Sequence, residues 1–262
     1  MPARRIDPSK TAAAVSEQAA AIGNWLPSLD EGDWAVGTAL PDWSVAHLVL
    51  HLAQTLRTIT ATLSQLTDEA PGSLADYFAK LPAAAEQIRD RELIAARGTT
   101  PADITATYTA ELQLATRALE QVRGAEIVQA PRGPLRIGDF LGSRAVELTV
   151  HADDLGRALP PDRQPPLKRP AMAATCRLLA DVLATTAPGR SVEVRIPPYA
   201  AVQCVPGPRH TRGTPPTVIE TDPVTWIRLG TGRIGWDEAL DSGRVNASGE
   251  RSDLSRYLPL VS

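Results

Sequence analysis

The sequence predicts two domains of different class, a helical bundle followed by a small α+β domain. Three observations carry that reading. Through the first 159 residues apolar side chains recur at helical spacing. The stretch Leu159 to Pro170, LPPDRQPPLKRP, then holds five prolines and reads as a semi-rigid linker. Beyond it, short β-branched runs alternate with short helical patterns, as in a two-layer α+β domain. The expected boundaries are 1–162 and 168–262, and 262 residues suffice for two separate cores.

Residues 9–26 are Ala-rich and made of good helix formers, with Gly23 and Pro27 marking the exit. After a loop with Gly32, Gly37 and Pro41, either Asp42 or Ser44 can cap a helix to about Leu66. Its apolar face is Val45, Leu48, Val49, Leu52, Leu56, Ile59 and Leu63. Residues 74–96 form a third helical segment, with Pro82 marking a break or fresh start near its beginning. A fourth opens at Thr100-Pro101-Ala102-Asp103 and closes before Gly124, and APRGPLR reads as a turn-rich connector. The last helix of the bundle runs from Arg136 to Leu159, with Ile137, Leu141, Ala145, Leu148, Ala152, Leu155 and Leu159 on one stripe. In the second domain a helix at about 170–186 precedes strands SVEVRI and AAVQCV around Pro197-Pro198. TVIET is a third strand, DPVTWIRLGTG a helix capped by Asp222, WDEAL another helix, RVNAS a fourth strand and RSDLSRYL a closing helix.

Composition narrows the function classes. A net charge of −3 gives no basic footprint, so nucleic acid is not the expected partner. The 27 basic residues are 24 Arg and 3 Lys, a bias that speaks of a GC-rich genome. Cys176 and Cys204 form no CxxC pair, which leaves no disulfide scaffold or thiolate zinc site and points to buried structural thiols in a reducing, cytoplasmic setting. The N-terminal stretch is interrupted by Asp7, Lys10 and Glu17, and no run approaches the roughly 18 apolar residues of a membrane span, so neither secretion nor a membrane anchor is expected.

Beside the apolar stripe of the last bundle helix runs a row of Arg144, Glu147, His151 and Asp154. Charged groups at the margin of an apolar face are partly desolvated and need partners or a metal. Glu147 and His151, at i and i+4, have the spacing of two ligands on one helix. The second helix supplies His47 and His51; at 100° per residue His51 lies about 110° from the centre of its apolar face and His47 about 150°. His51, Glu147 and His151 would form a His₂Glu set that leaves one position open, as catalytic metal sites do. Zinc is the preferred ion, with other divalent cations also compatible. The same spacing equally fits a Glu147–His151 surface ion pair beside a packed histidine. Arg144 and Asp154 read as salt-bridge partners, with orientation of the ligands the alternative.

Trp43-Ser44-Val45 ahead of His51-Leu52-Ala53, Gly133-Pro134 ahead of Gly138-Asp139-Phe140, and Arg144-x-x-Glu147-x-x-x-His151-x-x-Asp154 resemble the mycothiol-dependent maleylpyruvate isomerase family. The resemblance implies a DinB-like four-helix bundle whose divalent metal is held by a His of the second helix and a Glu and a His of the last. The matching positions here are His51, Glu147 and His151. One departure is His47, where the family often has an acidic or polar residue; it stands as a competing ligand. The second half resembles the sterol-carrier-like domain that follows the bundle in part of this family, through Asp222-Pro223, Trp226, Leu229, Gly232, Trp236, Glu238-Ala239, Gly243-Arg244-Val245, Ser248-Gly249, Asp253-Leu254 and Tyr257-Leu258-Pro259.

The resemblance implies an enzyme with a bound divalent metal, zinc first, and mycothiol as thiol cosubstrate; a monomer is expected. The expected chemistry is isomerisation or S-transfer on a small electrophilic or carboxylate substrate. In the loop PGPRHTRGTPP, Arg209 and Arg212 are candidates for holding such a carboxylate, against a rigid loop of solvated charges. Two rivals stand beside this reading. One is a non-catalytic carrier of lipid or another small molecule in the second domain; the other is a metal-dependent hydrolase using a bound water.

Overall fold

A computed structural model describes residues 5–124, 126–207, 217–249 and 251–261. The chain divides into two compact units. One comprises Ile6–Ser73 and Pro82–Ala171; the other gathers Met172–Ser262 together with Leu74–Leu81 from the first half of the sequence. No helix of the described residues is long and apolar enough to cross a membrane.

The first unit is a bundle of α1 (Pro8–Trp25), α2 (Val45–Leu63), α5 (Pro101–Glu120) and α6 (Ile137–Ala158). α2 packs on α5 and α6, and α1 on α6 and α5. All seven residues of the α6 stripe are buried, as are Val45, Leu48, Val49, Leu52, Leu56 and Ile59 of α2. Each start is set by local chemistry. Asp7 accepts from the Lys10 backbone N–H at 3.1 Å with Pro8 in the first turn of α1, and Thr100 and Asp103 form a reciprocal capping box on α5. The cap of α2 is Ser44, and Asp42 instead holds a left-handed conformation before it at φ 67°. Gly138 opens α6 where a Cβ would lie 2.7 Å from the Ile6 carbonyl oxygen, so the chain entry to α1 and the first turn of α6 meet backbone to backbone.

One difference from expectation concerns a connection. The segment APRGPLR is more ordered than a connector: β1 (Ile127–Ala130) and β2 (Gly133–Arg136) pair antiparallel with Val128 opposite Leu135, both buried. The turn residues Pro131 and Arg132 close a hairpin, with Gly133 at φ 122°, a value that glycine adopts without strain. The third helical segment splits at its proline into α3 (Leu74–Ala79) and α4 (Leu81–Ala95). α3 groups with the second unit and buries Tyr77 and Phe78. Among the residues of α4 one alone is buried, and it is acidic, Glu92.

The second unit is an α+β layer pair. Strands β3 (Val192–Ile196), β4 (Ala200–Cys204), β5 (Thr217–Thr221) and β6 (Val245–Ser248) form one sheet in the order β4-β3-β5-β6. β3 runs parallel to β5 and the outer pairs are antiparallel, with Val194 between Val202 and Ile219. α7 (Arg169–Thr186), α8 (Pro223–Gly230) and α9 (Trp236–Asp241) complete the unit. Trp226 is its largest fully buried side chain and donates its indole N–H to the Cys176 carbonyl at 3.2 Å. The expected closing helix is reduced to a single turn at Ser255–Tyr257, because the chain then runs out through Leu258-Pro259 and ends with Leu260 and Val261 donating to the Gly230 carbonyl.

Candidate metal centre

The site lies between α2 and α6 of the bundle. On α2, Ser44 opens the helix with extended backbone, and His47 takes the third helical position, where a capping box usually has Glu or Gln. His47 Nδ1 accepts from the Ser44 backbone N–H at 3.2 Å and lies 2.8 Å from Ser44 Oγ. That nitrogen is engaged at the helix start, and His47 is not part of the donor cluster. One turn later His51 is buried, 7% exposed, with the Trp43 ring 5.2 Å away on one side and the His151 ring 5.1 Å away edge-on.

On α6, Glu147 and His151 project one turn apart toward the same place. His51 Nε2 lies 2.7 Å from Glu147 Oε1 and His151 Nε2 lies 3.5 Å from that oxygen. His51, Glu147 and His151 each offer a ligand atom, and these atoms all lie within 4.8 Å of one another. Behind His151, its Nδ1 is 3.1 Å from Asp154 Oδ2, and Asp154 is fully buried. Asp154 is therefore an orienting partner of the imidazole, with Arg157 Nη1 at 3.9 Å from its other oxygen. Arg144 departs from the salt-bridge expectation. It is 6% exposed, donates Nε–H to Ser143 Oγ at 3.2 Å, lies over the Phe140 ring at 5.6 Å and forms no ion pair among the described residues.

The electrostatics follow from this packing. Burial disfavours a charged His51, yet the hydrogen bond to Glu147 and the nearby Glu147 and Glu92 carboxylates together prevail and raise its pKa to about 9. Burial also opposes ionisation of Glu147, but the His151 and His51 imidazoles and the Arg144 charge hold its carboxyl well below the ordinary range. The packing thus favours a protonated His51 beside an ionised Glu147. Two imidazoles and one ionised carboxylate are a donor set that suits a divalent cation, which would take the place of the His51 proton.

Glu92 is the group that the sequence reading missed. It sits on α4, 3% exposed, with Oε1 3.7 Å from His51 Nδ1. No ligand spacing connects a residue on α4 to one on α2, and the polar pattern of α4 marks Glu92 as one more surface charge. Arg209 and Arg212, with His210, lie outside the described residues.

Cys176 and Cys204 are buried free thiols, each pushed up to about 12 by burial, and they belong to the second unit's core, away from any role as nucleophile.

Comparison with known proteins adds the family. A family model described as the mycothiol maleylpyruvate isomerase N-terminal domain matches residues 15–156, and one described as bacterial SCP ortholog matches residues 168–260. No curated protein matches the chain. Two solved structures are similar, each at 15% identity over 94% of this chain and 95% of the other. One is mycothiol-dependent maleylpyruvate isomerase, with a TM-score of 0.59; the other is a histidine-to-alanine variant of an enzyme of that name, with a TM-score of 0.61. At this identity the likeness shows a shared fold. Since the first family model spans more than half of the sequence, the chain belongs, through residues 15–156, to the mycothiol maleylpyruvate isomerase N-terminal domain family.

Proposed function

We propose that this protein is a divalent-metal enzyme, with zinc the preferred ion, that uses a low-molecular-weight thiol to isomerise or thiolate a small electrophilic carboxylate. Mycothiol is the thiol that the family implies. The single observation that carries the reading is the convergence of buried His51 and half-buried Glu147 and His151, from two helices, to within 4.8 Å of one another. Three protein ligands leave a coordination position for a further molecule, unlike the closed four-ligand set of a structural zinc site. A cation bound there supplies Lewis acidity that favours the thiolate form of a thiol entering that position.

The remaining tasks fall to this chain's own groups. His51 and His151 present Nε2 toward Glu147, and Asp154 accepts the His151 Nδ1 proton, so that ring keeps one tautomer and one orientation. Glu147 stays ionised because two imidazoles face it. The Trp43 ring, itself buried, lies tilted against His51 and packs that side of the imidazole. Arg144, desolvated and without a carboxylate partner among the described residues, is the cation we assign to a substrate carboxylate beside Glu147. Arg209 and Arg212, outside the described residues, remain candidates from the sequence alone for holding a substrate carboxylate.

The test begins with metal content of the untagged full chain by mass spectrometry, wild type beside His51→Ala and His151→Ala. About one divalent ion per wild-type chain, lost in both variants, is the expected result. Turnover of a cis-unsaturated keto acid by the loaded protein should then require added mycothiol, and Arg144→Gln, Arg209→Ala and Arg212→Ala should raise KM. Wild type that binds no divalent ion after incubation with zinc overturns the proposal, and full turnover without thiol replaces it with a hydrolase.

A further inference from the structure

α4 leaves Leu81, Ala84, Ile88 and Leu93 only half-buried and its other residues exposed, and the one side chain that it buries is a carboxylate, Glu92. Taking a carboxylate out of water costs several kcal/mol on general grounds unless a partner answers it. Arg91 answers part of the cost, donating Nη2–H at 2.8 Å and Nε–H at 3.2 Å to Glu92 Oε1. But Arg91 is about half exposed, and an ion pair between sequence neighbours forms as readily at the surface. It gives no reason for Glu92 to be buried.

His51 supplies one. Its Nδ1 is a buried nitrogen with no hydrogen-bond partner, and Glu92 Oε1 stands 3.7 Å away, just beyond hydrogen-bond range. Its Nε2 faces Glu147. An imidazole that gives the Nε2 lone pair to a metal must carry its remaining proton on Nδ1, and a buried N–H needs an acceptor. Glu92 is the carboxylate beside that atom. His151 has the same arrangement, already closed, with Asp154 at 3.1 Å from Nδ1.

We propose that Glu92 is a positioning residue of the metal centre, accepting the His51 Nδ1 proton and thereby fixing the tautomer and ring orientation in which Nε2 is the ligand atom. Each imidazole of the site then has its own carboxylate, Asp154 from the same helix and Glu92 from α4. The inference rests on His51 being a metal ligand. Carboxylates in this position raise the basicity of the imidazole, and their loss typically weakens metal binding by about 10- to 100-fold.

The test measures zinc affinity and zinc off-rate of the full chain by competition with a chromogenic chelator, for wild type, Glu92→Ala, Glu92→Gln and Arg91→Ala, alongside thermal unfolding of each metal-free protein. The expected result is a roughly 10- to 100-fold loss of affinity in Glu92→Ala, a smaller loss in Glu92→Gln, which keeps an acceptor oxygen, and near wild-type affinity in Arg91→Ala. Unchanged affinity in Glu92→Ala, with thermal stability lowered as in Arg91→Ala, reduces Glu92 to an ion-pair partner and overturns the inference while leaving the metal site standing. Wild type that binds no zinc overturns the site and the inference together. Should Glu92→Ala not fold, nitrogen-15 spectra of histidine in zinc-loaded wild type decide. A slowly exchanging Nδ1 proton on His51 supports the inference; a proton on Nε2 overturns it.

Discussion

At the scale of single residues, the site is a balance between desolvation and pairing. In the metal-free protein His51 is raised to about 9 from 6.5, so folding favours the protonated ring. Its contribution to stability is complete below pH 6.5 and is lost as the pH rises through about 9. Glu147 works in the opposite sense: its depressed pKa contributes stability above the ordinary value of 4.5, which is lost as the pH falls below it. The metal-free protein is therefore expected to lose resistance to urea between pH 6.5 and 9, and His51→Ala to lose less over that window. Equal pH profiles for the two proteins would contradict this account. The cysteines make a second residue-scale prediction. With Cys176 and Cys204 both raised to about 12 and buried, the folded protein should resist a thiol-directed alkylating agent at pH 8, and both thiols should react once urea unfolds the chain.

At the scale of elements, helix starts decide where functional side chains fall. The Ser44 cap sets the phase of α2, which turns His51 inward and leaves His47 at the capping position. In the second unit Asp222 caps α8 through both the Val224 and Thr225 backbone N–H groups, at 2.9 and 3.0 Å, and so sets where Trp226 enters the core. Replacing Asp222 with Ala should cost about 1–2 kcal/mol of stability, read as a shift in the denaturant midpoint with an unchanged slope. An unaltered midpoint would mean that the cap contributes little beside the packing of Trp226. The element that the sequence hid is α4. Its apolar face is too weak to announce a buried side, and its one buried residue is of the type that is least often buried without a partner.

At the scale of the whole molecule, the two units do not follow the chain in a simple split, since Leu74–Leu81 is grouped with residues 172–262. Tyr77 and Phe78 are buried in α3, so a fragment of residues 168–262 lacks apolar side chains that its unit holds in the full chain. Such a fragment should unfold at lower urea than the same residues in the full-length protein, followed by Trp226 and Trp236 fluorescence. Equal midpoints would show that α3 contributes nothing to that unit.

The sequence by itself determined the two architectural classes, the four bundle helices and the four strands of the second sheet, because periodicity and capping are local and each segment carries its own pattern. It also made His51, Glu147 and His151 candidates for one site, through the spacing on α6 and the family motif, while leaving a Glu147–His151 surface ion pair equally open. Only the tertiary structure decided that Arg144 is buried without an ion pair among the described residues and that Glu92 stands behind His51. Those relations depend on the distance between atoms on separate turns and separate helices, to within a few tenths of an ångström. No spacing along a chain encodes such distances.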